Sequence, residues 1–335
     1  MTTEARIQLT STELGTLWMT YQSTSAQLTI FNLIKEKTIE KEAQNIINSF
    51  ITELQIVKNE VIKVFNNKQA IIPIGFDDRD VIKDSPALFD DIFNIMFLRQ
   101  MMKLNYTTYP AFSTMSFMKE VQDIFKLTYD ITNKYYVITT NYLLGKGALA
   151  RPPYVTMPRK VEFVEEKSYM SGHNPFTDKR ALNTVEVGFL NEGSEDNIFG
   201  MQLMTGFAQV ATEGEVKQYF LEGKELSKKI VTILGGLLLQ SDIQPPSTWA
   251  GKATDSTTPP FSDKIMMYIT SLISSSALSF TALGTSFSLR SDLHTKLALI
   301  SKDIFDYSKK GGKLMIVHKW MEEPPQMEDR NLLTK

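Results

Sequence analysis

The stretch FMKEVQDIFKLTYDITNKYYVITTNYLLG, residues 117–145, decides the fold class. Its apolar and small positions fall at Phe117, Val121, Ile124, Thr128, Ile131, Tyr135, Ile138 and Tyr142, alternating steps of four and three. That spacing places them on one stripe of an α-helix. Such a stripe buries against neighbouring helices at the shallow crossing angle of a bundle. Gly145 and Gly147 suit the left-handed residue that ends a helix, and Pro152-Pro153 prevent its continuation.

The same period runs upstream. Leu14, Leu17, Tyr21, Thr24, Leu28 and Phe31 mark a first helix; Ile39, Ala43, Ile46, Phe50, Leu54, Val57, Val61 and Val64 mark a second. A third carries Leu88, Phe89, Ile92, Phe93, Ile95, Met96, Phe97 and Leu98 and is apolar nearly all round, so it is expected to be covered by another bundle or another chain. Ser85-Pro86 reads as its N-cap followed by proline at the first helical position, with Asp90 and Asp91 favoured by the helix dipole. Thr258-Pro259 repeats the signal.

That repetition is general. Shifted by about 173 positions, Glu13-Leu14-Gly15 meets Glu186-Val187-Gly188, Glu40 meets Glu213, and Pro73 and Phe76 meet Pro246 and Trp249. After one residue of slippage Phe89 and Asp91 meet Phe261 and Asp263, Val121 meets Leu293, and Pro152-Pro153 meets Pro324-Pro325. A near-constant offset across so many landmarks implies duplication. The long connections 66–84 and 241–258 join two helical hairpins in each copy, the ferritin-like arrangement. The sequence therefore predicts an all-α chain of two tandem ferritin-like four-helix bundles, over 1–160 and 181–335, joined by a linker at 161–180 that includes Ser171-Gly172-His173-Asn174-Pro175.

Composition excludes several functions. The 335 residues carry 36 basic and 38 acidic side chains with no basic stripe, so nucleic acid is not an expected partner. The absence of cysteine removes disulfides, thiolate metal sites and cysteine nucleophiles. Met1 to Leu9 lacks the pattern of a secretory signal. The most apolar run, Ile230 to Leu239, is half the length of a membrane span, so no transmembrane segment is expected and the cytoplasm is the expected location.

A ferritin-like bundle invites a di-metal site, which needs Glu-x-x-His on two helices. The only histidines are His173, His294 and His318; Ser291 and Met315 stand where glutamate would precede the last two. No metal or cofactor is expected. Neither a Gly-x-Ser-x-Gly elbow nor a phosphate-cradling loop occurs, and Lys146 between Gly145 and Gly147 ends a helix. The remaining candidates for a polar pocket are Glu13 and Asp91, their repeats Glu186 and Asp263, and Arg290 with Asp292. As acids facing a core they could bind a hard cation or exchange protons. As helix-start residues they would complement helix dipoles, and Arg290-Ser291-Asp292 would form a local ion pair. Gly193, Gly200, Gly206 and the run Ser274-Ser275-Ser276-Ala277 point to close helix packing or to a groove for a flat ligand. Sixteen methionines, Met101, Met102, Met266 and Met267 among them, fit plastic packing.

Gly75-Phe76-Asp77-Asp78-Arg79-Asp80-Val81, Arg151-Pro152-Pro153-Tyr154, Thr254-Asp255-Ser256-Thr257, Pro260-Phe261-Ser262-Asp263-Lys264 and Trp320-Met321-Glu322-Glu323-Pro324-Pro325-Gln326 together resemble signatures of domain-of-unknown-function family 3231, found mainly in spore-forming Gram-positive bacteria. The resemblance covers nearly the whole chain. It implies a ferritin-like bundle distantly similar to the spore coat protein F group, and brings no catalytic residues. The expectation is a non-catalytic structural or interaction protein, spore-associated by resemblance, whose partners are other proteins or itself. The alternative is a ligand-binding bundle, or an enzyme using a carboxylate pocket between helices, for which a cavity of about 300 Å3 or more with convergent polar groups would speak.

Overall fold

A computed structural model describes residues 8–172, 179–247 and 252–334. Most of Met1–Leu9, His173-Asn174-Pro175 of the linker and the repeat landmark Trp249 lie outside the described residues. Eight long helices account for the fold: α1 (Ser11–Lys37), α2 (Lys41–Asn67), α3 (Asp91–Thr114), α4 (Lys119–Gly145), α5 (Thr184–Val210), α6 (Gly214–Leu239), α7 (Asp263–Phe287) and α8 (Ser291–Val317). A single turn, α9 (Arg330–Leu333), follows. The duplication is geometric as well as sequential. α1 and α5 start 173 residues apart, as do α2 and α6; α3 and α7, and α4 and α8, start 172 apart. The slipped residue lies in the long crossovers.

Each copy is two hairpins, α1–α2 with α3–α4 and α5–α6 with α7–α8, and the two bundles meet through α1, α3, α5 and α7. This explains the apolar girth of α3. Every residue from Phe93 to Asn105 is buried, with α4 on one side and the second bundle on the other. An aromatic ladder crosses the junction: Phe89 stacks on Phe93 at 4.3 Å, Phe93 on Phe199 at 5.0 Å, and Phe97 meets both Phe199 and Phe31. Stacked pairs of this kind add about 0.5–1.5 kcal/mol each beyond the area they bury.

Gly206 admits the end of that ladder, because a Cβ there would stand 2.5 Å from two atoms of the Phe89 ring. Gly206→Ala is therefore expected to lower stability by about 1–3 kcal/mol through overpacking. Gly188→Ala, whose Cβ would meet nothing, should raise it by up to about 1 kcal/mol. Denaturant unfolding of both variants checks this, and an unchanged midpoint for Gly206→Ala would show that the Phe89 ring can step aside. Gly193 and Gly200 also sit under neighbours, Leu234 and Ser227.

Several expected boundaries move. α3 and α7 do not start at Ser85-Pro86 and Thr258-Pro259; their N-caps are Asp90 and Ser262, which accept from the amides of Phe93 and Ile265. Residues before each cap run extended and bond to the other copy, so the helix begins only where that pairing ends. Phe117 precedes the N-cap Met118 and is exposed. Ile39 lies in the α1–α2 turn, 93 % exposed, and the α2 seam passes through Ile47 rather than Ile46. Gly147, not Gly145, takes the left-handed conformation, with φ 66°. Among the described residues one helix, α7, is long and apolar enough by length and composition to cross a membrane (mean hydropathy 1.4). Its serines and threonines interrupt the apolar run, and it packs between α5 and α8.

Candidate functional site at the junction of the bundles

The acids singled out by sequence hold helix ends. Glu13 Oε1 accepts from the amides of Phe117 and Met118 at 2.9 and 2.7 Å, and its Oε2 accepts from the Thr10 amide and hydroxyl. One carboxylate thus fastens the starts of α1 and α4. Glu186 repeats the arrangement on the amides of Asn183, Leu289 and Arg290, and adds the Arg180 guanidinium at 2.7 Å. At the opposite end of each bundle Asp91 accepts from Ile39 and Glu40 amides, and Asp263 from Thr212 and Glu213 amides. Burial pushes the Glu186 carboxyl up, but Arg180 and the amide donors outweigh it and hold it down at about 2. Glu13 is likewise held below its ordinary value by its amide donors against burial.

Arg290 is 1 % exposed and donates to both carboxylate oxygens of Asp292 and to the Arg180 carbonyl. Lys179 also reaches Asp292 at 3.0 Å. The six candidates therefore do not converge on one pocket. An open hollow of about 720 Å3 has Glu13 on its wall, but both oxygens of that carboxylate are already engaged. Among the described residues no three His, Asp or Glu side chains gather as a metal site. His294 faces the Ser288 carbonyl, and His318 stacks on Trp320 and meets Glu215.

What the sequence reading missed is a buried ion cluster between the copies. Arg99 and Lys103 of α3 face Glu192, Glu195 and Asp196 of α5. Arg99 pairs with Glu195; Lys103 pairs with Asp196, with Glu192 at 2.5 Å and with Glu195 at 3.5 Å. Lys103 is 3 % exposed. Burial disfavours its charge, yet the three acids outweigh burial and hold its proton more tightly than in water. Three acids against two cations leave one in excess: burial raises the Asp196 pKa and outweighs the pull of Lys103.

The second device is a clasp made by the crossovers. Val81 pairs antiparallel with Phe261, and Phe89 with Ala253. Val81 and Ala253 are repeat partners, as are Phe89 and Phe261, so the clasp is two-fold and self-complementary. The Ile82 amide donates to the Pro260 carbonyl, the Ser262 amide to Asp80, the Thr254 amide to Leu88 and the Asp90 amide to Lys252, at 2.8–3.3 Å. Ser262 Oγ donates to Asp80 Oδ1. Around it, Glu322 takes the amides of Ile74 and Gly75, Lys264 donates to the Gly75 carbonyl, and the Lys264 ammonium lies 4.6 Å from the Phe76 ring centroid. Gly75 is required twice over: its φ is 68°, and a Cβ would stand 2.5 Å from Ser25 Oγ.

With this geometry in view, the chain matches the family described as "Protein of unknown function (DUF3231)" over residues 1–161 and again over 170–333. It belongs to this family. The two matches coincide with the two bundles. No curated protein matches. Among solved structures, one from Bacillus halodurans C-125, described as that of a candidate spore coat protein, is similar at 16 % identity and a TM-score of 0.43, over 46 % of this chain and 99 % of its own. Four of the five motifs that carried the family resemblance meet at the clasp: Gly75, Phe76 and Asp80; Thr254; Phe261, Ser262 and Lys264; and Glu322. The fifth, Arg151–Tyr154, is exposed on the segment after α4.

Proposed function

We propose that this protein is a non-catalytic structural or interaction protein whose working unit is the clasped pair of bundles. The observation that carries the reading is the use made of its helix-end and buried charge. Glu13, Asp91, Glu186 and Asp263 bind backbone amides at helix ends. Arg99, Lys103, Glu195 and Asp196 hold one bundle to the other. Groups so engaged are poorly placed to exchange protons with a substrate. The segment 150–164 supports an interaction role. It carries Tyr154, Met157, Val161 and Phe163 at 73–91 % exposure on one extended stretch, and apolar side chains so grouped favour contact with a protein surface.

The partners in this reading are other proteins or further copies of the chain. A ferritin-like arrangement and a cytoplasmic origin, read from the sequence, complete the proposal; the association with sporulation or the spore coat rests on the sequence resemblance alone. Untagged protein purified from sporulating cells and from spore extracts, examined by elemental analysis and native mass spectrometry, tests it. The expected result is a protein without stoichiometric metal, recovered in the spore fraction and in masses above that of one chain. One or more metal ions per chain, or a monomer absent from spores, would overturn it.

A further inference from the structure

Between α4 and the single turn at Lys167–Met170 the chain forms an arm that includes YVTMPRKVEFVEE, residues 154–166. Every residue from 151 to 168 is exposed. A tether needs only length and solubility, which polar residues supply. The second copy has them at the matching places: the repeat partners of Tyr154, Met157 and Phe163 are Gln326, Asp329 and Lys335. Duplication therefore does not account for the three largest apolar side chains of the arm. Val161 is 84 % exposed and Phe163 85 %. Among the described residues, no backbone amide or carbonyl between 151 and 165 has a hydrogen-bond partner. Exposed apolar side chains and free backbone groups on one stretch mark a strand that lacks its neighbour.

The order of its charges says what that neighbour is. After Pro158 the cations Arg159 and Lys160 come first, and the acids Glu162, Glu165 and Glu166 follow. Parallel pairing in register with its own copy would set like on like, whereas antiparallel pairing turns cations towards acids. A two-fold axis places one residue opposite itself and keeps opposed side chains on one face. With the axis at Lys160, Glu162 or Glu165, a charge meets its own copy. At Val164, Glu162 meets Glu166; at Phe163, Arg159 meets Lys167. At Val161 no like charges are opposed: Lys160 meets Glu162 and Arg159 meets Phe163, each twice. Lys160 and Glu162 already attract within one chain, Nζ lying 3.1 Å from Oε1. Pro158 fits the same register. If Val161 exchanges backbone bonds with its copy, odd-numbered residues point their amides inward, and Pro158, which has none, faces outward. There it blunts the outer edge against a third strand.

We propose that the arm pairs with the same arm of a second copy of this chain, as an antiparallel two-stranded β-ribbon centred on Val161. Arg159 then meets the Phe163 ring of the other copy in a cation–π contact, and the Lys160–Glu162 pairs take the closely spaced positions between bonded pairs. The bend at Arg159 and Lys160 straightens as the strands join. A two-stranded ribbon is only marginally stable by itself, so the dimer it makes is one that dissociates on dilution. The inference rests on the interaction role proposed above and names the partner and the contact.

Sedimentation equilibrium of the full chain over a dilution series tests it. The expected result is a reversible equilibrium between monomer and dimer. K160E and E162K should each weaken the dimer about tenfold, because symmetry repeats the clash. An equimolar mixture of the two variants should recover it, since each chain supplies the charge that the other lacks. Val161→Pro removes an inward amide and should abolish the dimer; Val164→Pro removes an outward one and should be tolerated. All four positions are exposed, so the helical melt should not move in any variant. A chain monomeric at every concentration would overturn the inference and leave the interaction role to a different protein. A dimer unchanged by K160E and Val161→Pro would overturn it by placing the contact elsewhere on the chain. So would a mixture of K160E and E162K that associates no better than either alone.

Discussion

Lys103→Met is expected to lower the unfolding free energy by about 3–5 kcal/mol, the range for removing one partner of a buried ion pair. The variant leaves Asp196 without its cation and Glu195 with Arg99 alone, in a place from which water is excluded. Methionine fills the same length, so packing is roughly kept and the loss reports charge. Pairing it with Asp196→Leu should recover most of the loss, because the remaining Arg99–Glu195 pair is balanced and Glu192, at 31 % side-chain exposure, can reach solvent. Urea unfolding of the single and double variants makes the comparison. A single variant within 1 kcal/mol of the parent would mean that Glu195 and Asp196 protonate without penalty, and that the cluster does not hold the bundles.

The cluster also bears on which halves pair. The repeat partners of Arg99 and Lys103 are Ser271 and Ser275, and those of Glu195 and Asp196 are Gln22 and Ser23. The two-fold junction thus carries full charge on one side and none on the other. The clasp itself is self-complementary and would allow two first copies to dimerise. In such a dimer Arg99 and Lys103 would face Gln22 and Ser23 and be buried without acids. Two second copies would bury their acids against serines. Charge therefore selects the mixed pair, while backbone pairing and the phenylalanine ladder supply adhesion. The neutral side carries its own strain, with Gln22 Nε2, Gln27 Oε1 and Ser276 Oγ buried and unpartnered among the described residues.

How far all this was legible varies with the kind of signal. Helix period and the repeat offset are dense signals, carried by some thirty positions, and they give every long helix and both bundles. Boundaries failed where tertiary contacts override local grammar. Ser85-Pro86 is a good helix start by itself, but residues up to Asp90 are held extended by Lys252 and Thr254, more than 160 positions away. Glu13 and Asp91 were visible as repeated acids near helix starts, whereas their second attachment, of Glu13 to the start of α4 and of Asp91 to the start of α2, is non-local and left no pattern in the sequence. The ion cluster did leave one. Aligning the copies shows cations on α3 where α7 has serine, and acids on α5 where α1 has glutamine and serine. Complementary differences between repeats mark the surfaces where they touch.

Acid should weaken this protein through Glu186 more than through any other helix-end carboxylate. A carboxyl whose folded pKa lies below its ordinary value of 4.5 stabilises the fold at every pH above that value; the contribution is lost as pH falls from 4.5 towards about 2, where Glu186 protonates in the folded chain. Protonation would take charge from the Arg180 guanidinium and from three amide donors together. Glu186→Gln is accordingly expected to lower stability by about 2–3 kcal/mol at pH 7, the range for hydrogen bonds to a buried charge. The gap between parent and variant should close steadily between pH 4.5 and 2. Glu13→Gln should cost less, since Glu13 has amide and hydroxyl donors but no arginine. Denaturant unfolding across pH 2–7 for the three proteins decides it. A gap independent of pH would mean that the glutamine fails by shape rather than by charge. An equal loss for Glu13→Gln would move the credit from Arg180 to the amides, leaving the repeated feature, a carboxylate joining two helix starts, as the source of the stability.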